Sequence, residues 1–184
     1  MISDFCAITH EIEPRNVKVW CIADVHIGSA ECMLDEFKAW LKRVERDPDS
    51  YVIIAGDVID NATRGSVGAG VYENKLTPQQ QIDMAVELLR LLADSGKILA
   101  VVGGNHEART AKECDLDPLY TVCCILGIQG VYRKNMASVR VLMHKGKMKE
   151  LYTFLVLHGK SDNKRKWFEL AIEGYDVLVT GHTH

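Results

Sequence analysis

Three short runs of β-branched and aliphatic residues, 17–23, 51–55 and 98–102, each break off onto Asp24, Gly56-Asp57 or Gly103-Gly104-Asn105-His106. Between them the apolar residues switch to three- and four-residue steps, as in Met33, Leu34, Phe37, Leu41 and Val44 over a helix at 31–46. Strand and helix periods in alternation restrict the chain to a layered α/β fold around a sheet with parallel strands. A second helix opens at Thr77 as N-cap, with Pro78 in its first position and Gln80 closing a capping box. Ile82, Val86, Leu89 and Ala93 form its apolar stripe and Gly96 ends it. A short helix at 118–126 stops at Gly127, and an antiparallel hairpin pairs 138–143 with 151–157 around a polar turn at 145–149. A last helix at 164–173 and a last strand at 175–180 lead into Gly181-His182-Thr183-His184.

Length and composition fit one domain over residues 1–184, in which 1–16 form an N-terminal extension of uncertain structure. No apolar stretch is long enough to span a bilayer, so no membrane association is expected. The first residues carry acids where a secretory leader needs a basic start. The six cysteines form no Cys-x-x-Cys pair and read as reduced core thiols of a cytoplasmic protein. A net charge of −3 excludes both a histone-like basic chain and an acidic disordered tail. Within it, residues 133–166 concentrate ten bases against two acids, either as a solvated face or as a surface for nucleic acid or another polyanion. Stacking on bases is not supported there, because Tyr132, Tyr152, Trp167 and Phe168 mostly have apolar neighbours.

Five clusters of metal-competent side chains fall at the expected strand ends: Asp24 with His26, Asp57 with Asp60, Asn105 with His106, His158, and His182 with His184. A parallel sheet gathers the carboxyl ends of its strands along one edge, where ligands bind. Five of the seven histidines lie in these clusters; His10 and His144 do not, and carry no spacing argument. Asp-x-His and His-x-His place side chains i and i+2 on the same side of an extended segment. Carboxylate, carboxamide oxygen and imidazole without thiolate suit Mn, Fe, Zn or Ni better than a structural zinc. Seven such ligands are too many for one tetrahedral ion and about right for two. Gly65, Gly68 and Gly70 form no phosphate-binding P-loop, since no Gly-Lys-Ser/Thr follows them.

Asp24-Val25-His26, Gly56-Asp57-Val58-Ile59-Asp60, Gly104-Asn105-His106-Glu107, a lone His158 and Gly181-His182-Thr183-His184 follow one another in the order of a known pattern. The chain resembles the calcineurin-like metallophosphoesterases over nearly its whole length from Asp24. The resemblance implies a layered α/β/β/α sandwich and a dinuclear metal site. Asp24, His26 and His184 would hold one ion, Asn105, His158 and His182 the other, and Asp57 would bridge them. A phosphate mono- or diester would be hydrolysed by a metal-bound water or hydroxide in line. His106 would assist the leaving group, oriented by Asp60. Manganese is the favoured ion, with Fe, Zn, Ni or Mg as other candidates.

Asn61 stands where the protein Ser/Thr phosphatase branch expects Arg, which disfavours that branch. A nuclease, a nucleotide or cyclic-nucleotide phosphodiesterase and a small phosphomonoesterase remain, and the compact chain is similar to phage and bacterial members and to the repair-exonuclease-like branch. Arg109 is a candidate phosphate contact, because a guanidinium fork matches phosphate oxygens, and Glu107 is expected to support the site or start a helix. The alternative is a metal-binding interaction scaffold without turnover. Because the family continues beyond Gly-His-x-His, a chain stopping at His184 is expected to lack the C-terminal part of the fold.

Overall fold

The computed structural model describes residues 6–13, 16–64, 66, 73–145, 148–159 and 174–182. Two four-stranded sheets pack face to face. One is entirely parallel, in the order β2 (Lys18–Ile22), β3 (Ser50–Ala55), β4 (Ile98–Val102) and β5 (Tyr132–Arg133). The other is mixed, in the order β1 (Ile8–Ile12), β6 (Met136–Lys145), β7 (Met148–Leu157) and β8 (Val177–Thr180). Within it β6 and β7 are antiparallel, while β1 and β8 run parallel to their neighbours.

The central strands read as continuous apolar runs because both of their faces are covered. Val52 and Ile54 of β3 belong to a core with Leu41 and Val44 of α1 (Leu34–Arg46), Ile82 and Leu89 of α2 (Pro78–Asp94), and Leu119 and Val122 of α4 (Pro118–Ile125). Ile53 and Ala55, one residue out of phase, pack instead against Val139, Val141 and Val156 of the mixed sheet. Each fully buried Val, Leu or Ile among them contributes roughly 1.5 to 3 kcal/mol. Leu155 and Leu157 on the far face of β7 pack with Met136, Tyr175 and Leu178.

Several elements follow the sequence closely. Thr77 caps α2 through the Gln80 amide, the Gln80 side chain returns the bond, and Gly96 ends the helix at φ 66°. Helix α1 begins three residues later than its period suggests, because Ser29 holds Glu31 and Cys32 in a preceding turn. The hairpin strands reach beyond 138–143 and 151–157, to Met136–Lys145 and Met148–Leu157. Inside the stretch set aside as an N-terminal extension, β1 is a regular strand paired with β6. Helix α3 (Glu107–Cys114) was not expected from the apolar pattern, since only Glu107 of its residues is buried. The helix expected at 164–173, the tip of the hairpin turn and Gly65, Gly68 and Gly70 lie outside the described residues.

Two expectations are corrected. The cysteines are free, but only Cys123 is buried; Cys6, Cys21, Cys114 and Cys124 are exposed, the last two on the outer sides of α3 and α4. Arg133, counted as part of a basic surface, is buried at the end of β5 and donates to the carbonyls of Cys6, Gly130 and Tyr132. Lys97 is likewise buried and ties down the end of α1 by donating to the carbonyls of Val44, Glu45 and Asp47. Among the described residues no helix is long and apolar enough to cross a membrane.

Candidate metal centre

The segments following β2 and β3 leave the sheet side by side. Asp24 N donates to Gly56 O, His26 N to Asp57 O, and Ile27 N to Val58 O, which extends the parallel pairing past the strand ends. To turn their side chains to one side, Asp24, His26 and Asp57 adopt left-handed backbone, at φ 58°, 51° and 52°. His182, after β8, does so at 73°. Non-glycine residues seldom enter this region, and Asp, Asn and His enter it most readily. Close approach also explains the motif glycines. A Cβ on Gly104 would collide with Asp57 and Glu107, and one on Gly181 would come within 2.9 Å of Ala23, Asp24 and His158.

The result is a cluster drawn from both sheets. Three sets of donor atoms lie within 4.8 Å of one another: Asp24, His26 and Asp57; Asp57, His158 and His182; and His26, Asp60 and His106. Asp57 is common to the first two and is buried. His158 Nδ1 donates to the Ala55 carbonyl at 2.7 Å, while its Nε2 faces Asn105 Oδ1 at 2.9 Å and Asp57 Oδ2 at 3.0 Å. A nitrogen meeting two oxygen acceptors needs a cation between them, either a proton or a metal ion, and the hard and borderline donors suit a divalent ion. Burial lowers the His158 pKa, but its hydrogen bond to Asp57 and that residue's charge raise it above the ordinary value overall. Asp57 is itself held below the usual carboxylate range: burial opposes this, and the bonds from His158 and from the His106 amide outweigh it.

Next to this pair, His106 Nδ1 lies 2.8 Å from the Asp60 carbonyl and 3.1 Å from Asp60 Oδ1. The Asp60 carboxylate also stands 3.5 Å from His26 Nδ1 and accepts from Asn74. Its hydrogen bonds to His106 and His26 hold it well below the usual carboxylate range. His106 is raised, since the Asp60 bond and the Asp57 charge outweigh burial. Arg109 donates to the Asp60 carbonyl and places Nη2 3.0 Å from His106 Nε2.

Of the residues singled out in the sequence, Asp24, His26, Asp57, Asp60, Asn105, His106, Arg109, His158 and His182 converge here, while His184 lies outside the described residues. His10 Nε2 donates to the Leu99 carbonyl, between the sheets, and His144 pairs with Glu11; neither belongs to the centre.

Glu107 supports the site and starts a helix as expected, while the supporting roles of Asn61 and Gln81 had no counterpart in the sequence reading. Glu107 is fully buried at the start of α3 and accepts from the amides of Asp57, Ile59 and Gly104. Burial, then the charge of Asp57, pushes its carboxyl up to about 7. Asn61, at φ 45°, donates to His106 O and Thr110 Oγ1, fixing the first turn of α3 beneath His106. Its own amide donates to buried Gln81 of α2. Polar residues next to motif residues, on an otherwise polar helix or in a loop, were the available signal.

No curated protein sequence matches the chain significantly. Residues 17–184 match the family model described as calcineurin-like phosphoesterase, an interval that takes in every donor described above. The ordered ligand pattern, the two-sheet sandwich and this match agree, and the chain belongs to the calcineurin-like phosphoesterase family.

Proposed function

We propose that the protein is a dinuclear metal-dependent phosphoesterase that hydrolyses a phosphate mono- or diester of nucleotide type. The observation that carries this reading is the pair of donor sets sharing buried Asp57. On this reading Asp24 and His26, with His184, would hold one cation, Asn105, His158 and His182 would hold the other, and Asp57 would serve both. Two such cations, Mn first among candidates, supply Lewis acidity toward the phosphate oxygens and make water acidic enough to attack near neutral pH.

The chain's own groups do the rest. His158 spends its Nδ1 proton on the Ala55 carbonyl, which fixes the ring and leaves Nε2 for the ion. His106, positioned by Asp60 through Nδ1, presents Nε2 to the leaving oxygen as general acid. Arg109 steadies His106 and is drawn to the phosphate when the ester binds.

Hydrolysis of bis(p-nitrophenyl) phosphate and of the mono-ester with Mn, with and without chelator and with His106→Ala, tests the reading. Chelator-sensitive turnover that falls at least about a hundredfold in His106→Ala is expected. No turnover of either ester with Mn, Fe, Zn, Ni or Mg, despite metal binding, would leave the interaction scaffold instead.

A further inference from the structure

Two grooves of opposite character meet at the centre. One, of about 690 Å³, runs from Asp24, His26, Asp60 and His106 out along the start of α1. Its lining carries four carboxylates, Asp24, Glu31, Glu36 and Asp60, and no Lys or Arg among the described residues. Its far end is apolar: exposed Met33, then Phe37 and Trp40. Those rings are held in place, with Phe37 stacked on Trp40 at 5.8 Å and 13°, and Trp40 set edge-on to Trp20 at 6.2 Å. The other groove, of about 470 Å³, opens on the Asn105 and His158 side and carries Lys112 and Lys134, with no carboxylate among the described residues of its lining.

Resting on the phosphoesterase reading, we infer that the substrate crosses the centre in one direction only. The alcohol being released, an uncharged planar group such as a nucleoside, lies in the acidic aromatic groove, and the remaining anionic part lies toward Lys112 and Lys134. Three observations carry this. His106, the residue placed to serve the leaving oxygen, lines the first groove and not the second. Beyond the cation-holding end of the first groove, Glu31 and Glu36 would repel successive phosphates, whereas Lys112 and Lys134 favour them. The first groove also has the size of a small-molecule site, and preset aromatic rings provide a stacking face for a base. Lys134 thereby gives one member of the basic stretch a place at the centre.

The test uses the full Mn-loaded chain. Adenosine binding is read by titration calorimetry and as inhibition of bis(p-nitrophenyl) phosphate hydrolysis, with inorganic phosphate as the control ligand. Trp40→Ala should weaken adenosine at least about tenfold and leave phosphate inhibition unchanged. Met33→Ser, at an exposed position, repeats the measurement with a smaller loss should Trp40→Ala fold poorly. Lys112→Glu with Lys134→Glu should raise KM for a short oligonucleotide at least about tenfold and leave adenosine binding as it was. Adenosine binding indifferent to both groove variants, or weakened by the lysine pair instead, overturns the direction while hydrolysis stands. Loss of all hydrolysis in the wild type with adenosine still bound through Trp40 overturns the phosphoesterase reading and leaves the groove.

Discussion

Arg109 Nη2 sits 3.0 Å from His106 Nε2, on the nitrogen that the proposed chemistry needs. A guanidinium only donates, so this bond exists while Nε2 carries no proton, and protonation there releases Arg109. Positioning of the acid and attraction of the phosphate are thus two tasks of one side chain. Arg109→Ala is expected to lower kcat about tenfold and raise KM about tenfold. Made on the His106→Ala background it should still raise KM but no longer change kcat, a split that steady-state kinetics of the four proteins will show.

Glu107 satisfies three buried amides at once, on the two segments that carry Asp57 and Asn105. Glu107→Ala strands all three and should cost on the order of 3 kcal/mol in urea unfolding. Glu107→Gln should cost less but remain destabilising, because its amide nitrogen turns one acceptor into a donor facing other donors.

Asp24, Asp57 and Asp60 crowd one end of the sandwich, so cation binding to the folded chain should stabilise it. At an ion concentration about a hundredfold above its dissociation constant the gain is about 2.7 kcal/mol, which for a chain of this size raises Tm by roughly 5 to 10 °C. Chelation followed by thermal melting should remove that increment and added Mn restore it. An Asp57→Asn protein should show little of it, and an unchanged melting point in the wild type would count against dinuclear binding.

Away from the centre, Asp47 accepts from Lys18 at 2.6 Å, from Ser50 and from the Asp49 amide. The Lys18 bond foremost holds its carboxyl down at about 2. Unfolded, the group titrates near 3.9, so the folded state binds fewer protons between those values. Its stabilisation is present in full above about pH 4 to 5 and is lost as pH falls through about 2. The stability gap between wild type and Asp47→Asn should therefore be constant from pH 5 to 8 and shrink toward pH 2, as denaturant titrations across that range will show.

Much of this was legible from particular residues. The capping box at Thr77 and Gln80, the breaks after β2, β3 and β4, and the His-rich ends are all local signals; the capping box forms, and Asp24, His26, Asp57, His106, His158 and His182 come together. Only the start of α3, at Glu107, was open to reading, because Glu-Ala-Arg-Thr-Ala-Lys-Glu-Cys has no apolar stripe; Glu107 and the Asn61–Thr110 bond hold the helix from one end. Strand β1 was missed because five residues with His10 turned inward give too short an alternation. Arg133 misled for a different reason: charge counted along the chain does not tell a solvated guanidinium from one that binds three carbonyl groups inside.

The left-handed backbone at Asp24 and Asp57 separates two effects that substitution usually confounds. Asparagine shares with aspartate both the shape and the tolerance of positive φ, so Asp→Asn there removes charge while leaving the turn almost undisturbed. Alanine or a β-branched residue would add a conformational penalty of about 1 to 3 kcal/mol that has nothing to do with ions. Variation at these two positions is consequently narrowed by geometry before chemistry has any say, and an alanine scan of this edge would report the bending of the chain as if it were the loss of a ligand.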